Sequence, residues 1–166
     1  QPRFLLGMTA TPQRTDGYDL YELYNHTIAY RITLYDALKN DMLAPFHYFG
    51  IADLSIDGEE ANDLKVFARL ASEERVSHII DKIESYSVSR RNRRGLVFCS
   101  RNEEAEALST AFNKRGYRSM ALSGMNSDAE RNRAIERLEQ GELEYLFSVN
   151  IFNEGIDIPS LNQIIM

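Results

Sequence analysis

Cysteine is nearly missing from this chain: Cys99 stands alone among 166 residues, so no internal disulfide can form. Histidine is scarce too, and His26, His47 and His78 are too scattered to suggest a metal site with their neighbours. No apolar run approaches the roughly 20 residues that span a bilayer. The N-terminus lacks a basic region followed by a signal-type apolar stretch. These absences predict a cytoplasmic protein with no membrane partner. Positive charge is also short, with 19 basic against 25 acidic residues and a formal net charge of -6. A domain that neutralises phosphate over a broad face is thereby excluded, and any polyanion contact has to be local. The obvious local cluster is Arg90, Arg91, Arg93 and Arg94. It reads first as a solvated loop after a helix, where cations suit the negative end of the dipole.

What is present is the profile of one compact domain with a peripheral segment, 43% hydrophobic and 27% charged. Residues 4–6 form a short apolar run that reads as a strand, delivering the polar loop that begins at Thr9 and is stopped by Pro12. Residues 13–35 are tyrosine-rich and polar, a connector with short helical pieces, and a boundary between lobes is expected near residues 28–36. Residues 35–40 read as a short helix. Residues 46–56 are rich in β-formers and predict a strand near a sheet edge. Between residues 72 and 88, Val76, Ile79, Ile80 and Ile83 recur at helical spacing behind Glu73 and Glu74.

Short apolar runs then alternate with helical patterns, which predicts parallel βαβ units. Strands are expected at residues 95–99, 119–122, 143–149 and 162–166. Residues 102–115 read as a helix with Ala105, Leu108 and Phe112 inward and Gly116 as its stop. Ser127 and Glu130 have capping-box spacing for a further helix carrying Ala134, Ile135 and Leu138 and ended by Gly141. In an open parallel sheet, anionic ligands collect at the carboxyl ends of the strands, where loops and helix N-termini present unpaired N–H groups. The polar residues Thr9 and Thr11, Ser100 and Arg101, Ser123 and Gly124, and those from Ser148 to Asp157 fall at such ends.

Four blocks in one order carry a family resemblance. Leu6-Gly7-Met8-Thr9-Ala10-Thr11-Pro12, with Arg14, Asp16 and Gly17, resembles motif III and its extension in superfamily-two helicases of the DEAD/DEAH type. Gly95-Leu96-Val97-Phe98-Cys99-Ser100 resembles motif IV, and Ser123-Gly124 with Arg131 resembles the next conserved block. Asn153-Glu154-Gly155-Ile156-Asp157-Ile158-Pro159 resembles motif V. The run Arg14-Thr15-Asp16-Gly17 is similar to the branch of excision-repair helicases and restriction-enzyme motors, which favours DNA over RNA.

The resemblance implies an α/β fold: a RecA-like parallel sheet flanked by helices, the C-terminal helicase lobe, with a short piece of the preceding lobe. Residues 1–35 would be the tail of the first lobe, and residues 36–166 the second lobe, ending before motif VI. It implies that Thr9, Ala10 and Thr11 couple hydrolysis to movement. Gly155 would let the backbone approach nucleotide in the cleft, and the Asp157 carboxylate would accept a ribose hydroxyl. Ser100, Arg101, Ser123, Gly124, Arg131 and Ser148 would contact nucleic acid, the hydroxyl of Ser148 standing where the family often has threonine. Cys99 is expected only to pack.

Three departures limit what the chain can do alone. No glycine is followed by lysine, so there is no phosphate-cradling loop, and no Asp-Glu pair is present to hold magnesium. No Gln-x-x-Gly-Arg-x-x-Arg segment supplies an arginine finger. The expectation is a parent that uses ATP and magnesium, with the first lobe of the same polypeptide as partner, and a chain that by itself binds no cofactor and catalyses nothing. The alternatives are a double-strand DNA translocase subunit of a restriction or remodelling complex, and a RecA-like module kept for binding alone.

Overall fold

The computed structural model describes residues 3–10, 12, 17–51, 72–87, 91–152 and 157–166. The chain divides into two compact units, residues 1–51 and 52–166. The boundary expected at residues 35–36 falls inside a helix of the first unit, α1 (Leu34–Lys39). Thr33 starts that helix through a capping box with Asp36. This satisfies N–H groups that the first turn leaves without partners. A short 3-10 turn at Glu22–Tyr24 precedes it. The Tyr24 ring lies so close to Gly7 that a Cβ there would collide with it.

Two expected strands are absent among the described residues. Phe4, Leu5 and Leu6 are exposed and carry no ladder, and the described part of the 46–56 segment, residues 46–51, is irregular and exposed. β-forming side chains fit a pleated, half-buried surface, but a strand exists only where a neighbour completes its hydrogen bonds. Among the described residues neither segment has one.

The second unit is the parallel sheet the alternation predicts. Helix α2 (Glu73–Tyr86) begins at Ser72, whose hydroxyl accepts from the Arg75 N–H, and it buries Val76 and Ile83. Then follow β1 (Gly95–Phe98), α3 (Asn102–Lys114), β2 (Ser119–Leu122), α4 (Asp128–Gln140), β3 (Tyr145–Ser148) and β4 (Gln163–Ile165). The strand order is β2-β3-β1-β4 and every pairing is parallel. β3, paired on both sides, is buried at all four residues. α4 starts with the predicted Ser127–Glu130 capping box and ends at Gly141, whose φ of 80° is the left-handed conformation glycine adopts readily.

Alternation along the strands divides the core between two faces. On one, Val97, Tyr145 and Phe147 pack with Val76 and Ile83 of α2 and with Ala105, Leu108 and Phe112 of α3. On the other, Leu96, Leu122 and Leu146 pack with Ala134 and Leu138 of α4. Phe112 anchors the first face, its ring 5.6 Å from Tyr145 and 5.0 Å from Phe147, both edge-on. The Tyr145 ring lies across Gly95, its register partner on β1.

The arginine cluster before β1 is not a solvated loop throughout. Arg93 is buried, ion-paired with Glu84 and lying 4.0 Å from Glu144, with its guanidinium 5.3 Å from the centre of the Tyr117 ring. Tyr117 in turn donates to Glu84 at 2.7 Å. Arg94 turns back on backbone oxygens of Arg93 and Glu139. Carboxylates of Glu84 and Glu144 draw Arg93 inward, and Arg90 lies outside the described residues.

Candidate nucleic-acid interface

The site begins with strand register. Phe98 of β1 and Leu122 of β2 both pair with Ser148, the last residue of β3 between them. Three parallel strands therefore end at one level, and the ladder runs one step further as the Cys99 N–H donates to the Ser148 carbonyl at 2.8 Å. The loops that leave these ends carry Ser100 and Arg101, Ser123 and Gly124, and Val149 and Asn150, so they share a single rim. The inward-turned Arg93 and Arg94 precede β1 and belong to the opposite end of the sheet.

At the end of β1, the Ser100 N–H and hydroxyl each donate to one carboxylate oxygen of Glu104 at 2.8 Å. The other oxygen accepts from Arg75 of α2 at 2.8 Å. Glu104 is only 4% exposed. Burial pushes its carboxyl up, but the bonds from Arg75 and Ser100 outweigh that and hold it below the ordinary value. Both donors of Ser100 are thus committed within the chain. Arg101 follows as the exposed N-cap residue of α3. Cys99 packs against the core, and its thiol is pushed up to about 12, mostly by burial and then by the Glu104 charge. It stays a neutral packing group at ordinary pH.

At the end of β2, Asn126 folds the loop back by accepting the Ser123 N–H at 2.8 Å, and the Ser123 hydroxyl accepts from the Met125 N–H at 3.2 Å. Arg131, one turn into α4, donates to the Gly124 carbonyl at 3.0 Å and to Asp128 at 3.4 Å. The structure therefore brings Ser123, Gly124 and Arg131 into one cluster. A guanidinium has five donors in a fixed fork, so two such bonds aim Arg131 without exhausting it.

Ser148 lies beneath the rim, fully buried, and its hydroxyl has no hydrogen-bond partner among the described residues. Asp157 is exposed. Gly155 and Thr11 lie outside the described residues, while Thr9 and Ala10 are exposed in the first unit. Sequence reasoning missed Glu104 and Arg75. The Ser100–Glu104 spacing was visible as one turn of helix, but no local pattern reaches Arg75, 29 residues upstream.

The model of the helicase conserved C-terminal domain matches residues 74–166, more than half of the chain and the whole of the sheet described above. The chain belongs to the helicase C-terminal domain family. Among its relatives is the ATP-dependent RNA helicase SrmB of Haemophilus influenzae, 33% identical over 94 residues, covering 57% of this chain and 20% of the relative. A 51.5 kDa protein of a Lactococcus phage is 20% identical over 163 residues, covering 97% of this chain and 36% of its own length. The crystal structure of Escherichia coli DEAD-box protein SrmB bound to regulator of ribonuclease activity A aligns at 23% identity with a TM-score of 0.46, over 63% of this chain and 54% of that one. The chain spans only about a fifth to a third of the length of these curated relatives. As a helicase C-terminal domain, it has its four-strand sheet and flanking helices within the matched region.

Proposed function

We propose that this helicase C-terminal domain is the second lobe of an ATP-dependent motor and grips the backbone of a nucleic acid along the rim where β1, β2 and β3 end together. The observation that supports the reading is that common register, which ends β1 and β2 level with each other shortly before Arg101 and Gly124, with Arg131 bonded to the Gly124 carbonyl. Their chemistry fits phosphate and reads no bases, because guanidinium groups and backbone N–H groups donate to phosphate oxygens whatever the sequence. In the parent, ATP and magnesium would lie between this lobe and the first, to which residues 1–35 would belong. Gly155 and Asp157 would face the nucleotide, and Thr9, Ala10 and Thr11 would transmit closure of the cleft. Motion then follows from differential affinity of the open and closed forms for ATP and its products.

RNA as the track is supported by the relatives' names, which include an ATP-dependent RNA helicase. DNA is supported by the Arg14-Thr15-Asp16-Gly17 run alone. The test is Arg131→Ala in the full-length parent, with binding measured on unrelated RNA and DNA strands across a salt series. Affinity should fall about equally for all sequences of the preferred track, and the salt slope should drop by about one unit for one lost phosphate contact. An unchanged slope would remove Arg131 from the interface.

A further inference from the structure

We propose that Glu104 is a positioning residue for the nucleic-acid grip: with Ser100 and Arg75 it pins the backbone that leads into α3 and so holds an arginine, Arg101, at the rim. The inference rests on the proposed function above and reassigns Ser100 from contact to support.

Helices normally begin with a short oxygen-bearing side chain at the N-cap, because the first-turn N–H groups have no partner within the helix. α3 breaks that pattern. Its N-cap is Arg101, in extended conformation with φ −141° and ψ 153°, and the Arg101 side chain makes no cap bond. The anchoring has moved one residue back. Glu104, the third residue of the helix, reaches past Arg101 to the N–H and hydroxyl of Ser100, both at 2.8 Å. An ordinary capping box would have that carboxylate return to the N-cap residue itself, as Glu130 does to Ser127 in α4. In α3 the carboxylate return is displaced by one residue, so it ties the residue before Arg101 to the first turn of the helix.

The displaced box is also braced from outside. Arg75 donates to the second carboxylate oxygen at 2.8 Å, which ties the start of α3 to α2. The side chains of Arg75 and Glu104 are 18% and 5% exposed, so solvent screens the pair little. A negative charge in the first turn further suits the helix dipole. Together the three groups fix the backbone on the N-terminal side of Arg101 while leaving its side chain exposed at the level where β1 ends. An arginine is expensive to hold in one direction by side-chain packing alone, because its long stem carries much rotamer entropy. Fixing its backbone removes part of that cost before any phosphate arrives.

The experiment uses the full-length parent and a fluorescent oligonucleotide of mixed sequence, titrated at several salt concentrations, with urea midpoints recorded for every variant. Arg101→Ala should weaken binding and lower the salt slope by about one unit. Glu104→Ala should weaken binding about three- to tenfold, in the range of one misaligned charge-assisted contact. It should lower the slope in the same way as Arg101→Ala. The Arg101→Ala, Glu104→Ala double variant should bind no worse than Arg101→Ala alone, and Glu104→Gln, whose amide oxygen still accepts from Ser100, should recover most of the affinity. A merely structural role would move the urea midpoint and leave slope and non-additivity untouched. Wild-type binding by Glu104→Ala, or full additivity in the double variant, overturns the inference. If Arg101→Ala itself binds as wild type with an unchanged slope, the rim is misassigned at Arg101, and the inference falls with that reading. Should Glu104→Ala unfold the lobe, Ser100→Ala, which removes one of the two bonds to Glu104, carries the same comparison.

Discussion

At the scale of single residues, two positions tie sequence to stability through contacts that leave little freedom. Gly95 begins β1 where the Tyr145 ring lies directly across the backbone. That ring cannot retreat, since Tyr145 is fully buried and its hydroxyl donates to Gln163 at 2.8 Å. Gly95→Ala should therefore lower stability by about 1–3 kcal/mol, the usual range for overpacking a filled site. Urea unfolding checks this, and a neutral result would mean that Tyr145 can shift. Glu104 makes the complementary case through charge. Its carboxyl is held below the ordinary value of 4.5, so the folded state binds its proton less readily than the unfolded state does. The stability it adds is present above that ordinary value and is lost as pH falls through the depressed value. Between pH 7 and pH 3 the wild type should accordingly lose more stability than Glu104→Gln, in paired urea melts. Equal losses would show that the carboxylate contributes nothing through its ionisation.

At the scale of elements, what the sequence predicted well was whatever is settled locally. The helices α2 and α4 announce themselves by acids in the first turn and apolar spacing, α4 with a capping box as well, and both begin with a serine hydroxyl that accepts a first-turn N–H. For α4, Ser127→Ala should cost about 0.5–2 kcal/mol, the range for losing an N-cap oxygen. Thermal melts of the parent lobe check this, and a Gly substitution at the same position should cost less. Strands were legible where apolar runs alternate with helices, and not where β-forming residues stand alone. Residues 46–51 have strand composition without a ladder, because composition says nothing about partners. The same limit hid the fate of the arginine cluster. That Arg93 would meet Glu84 across 9 residues and Glu144 across the sheet is set by topology, and topology is the last thing a local pattern reveals. Ser123, Gly124 and Arg131 were singled out by the family resemblance, and the structure adds that a turn and a helical spacing bring them together. The diversion of both Ser100 donors to Glu104 was half-readable, and the Arg75 brace was not readable at all.

At the scale of the whole molecule, the strand order has a consequence for how the domain is made. β1 and β2 are separated in the sheet by β3, which comes after both in the chain. A ribosome therefore releases both strands, with α3 between them and α4 after, before the strand that pairs with both exists. Until residues 145–148 emerge, Leu96 and Leu122 belong to a surface whose shared neighbour, Leu146, has not been synthesised. Non-local pairing of this kind makes folding wait, and the waiting chain exposes apolar side chains. Stalled nascent chains in which β3 is still inside the exit tunnel should be cut rapidly by protease throughout residues 95–140. Chains long enough to free β3 should become resistant over that stretch in a single step. Gradual protection that begins with β1 and α3 would mean that the early helices fold without their sheet. In living cells, then, the nascent lobe would depend on chaperones for as long as its central strand remains untranslated.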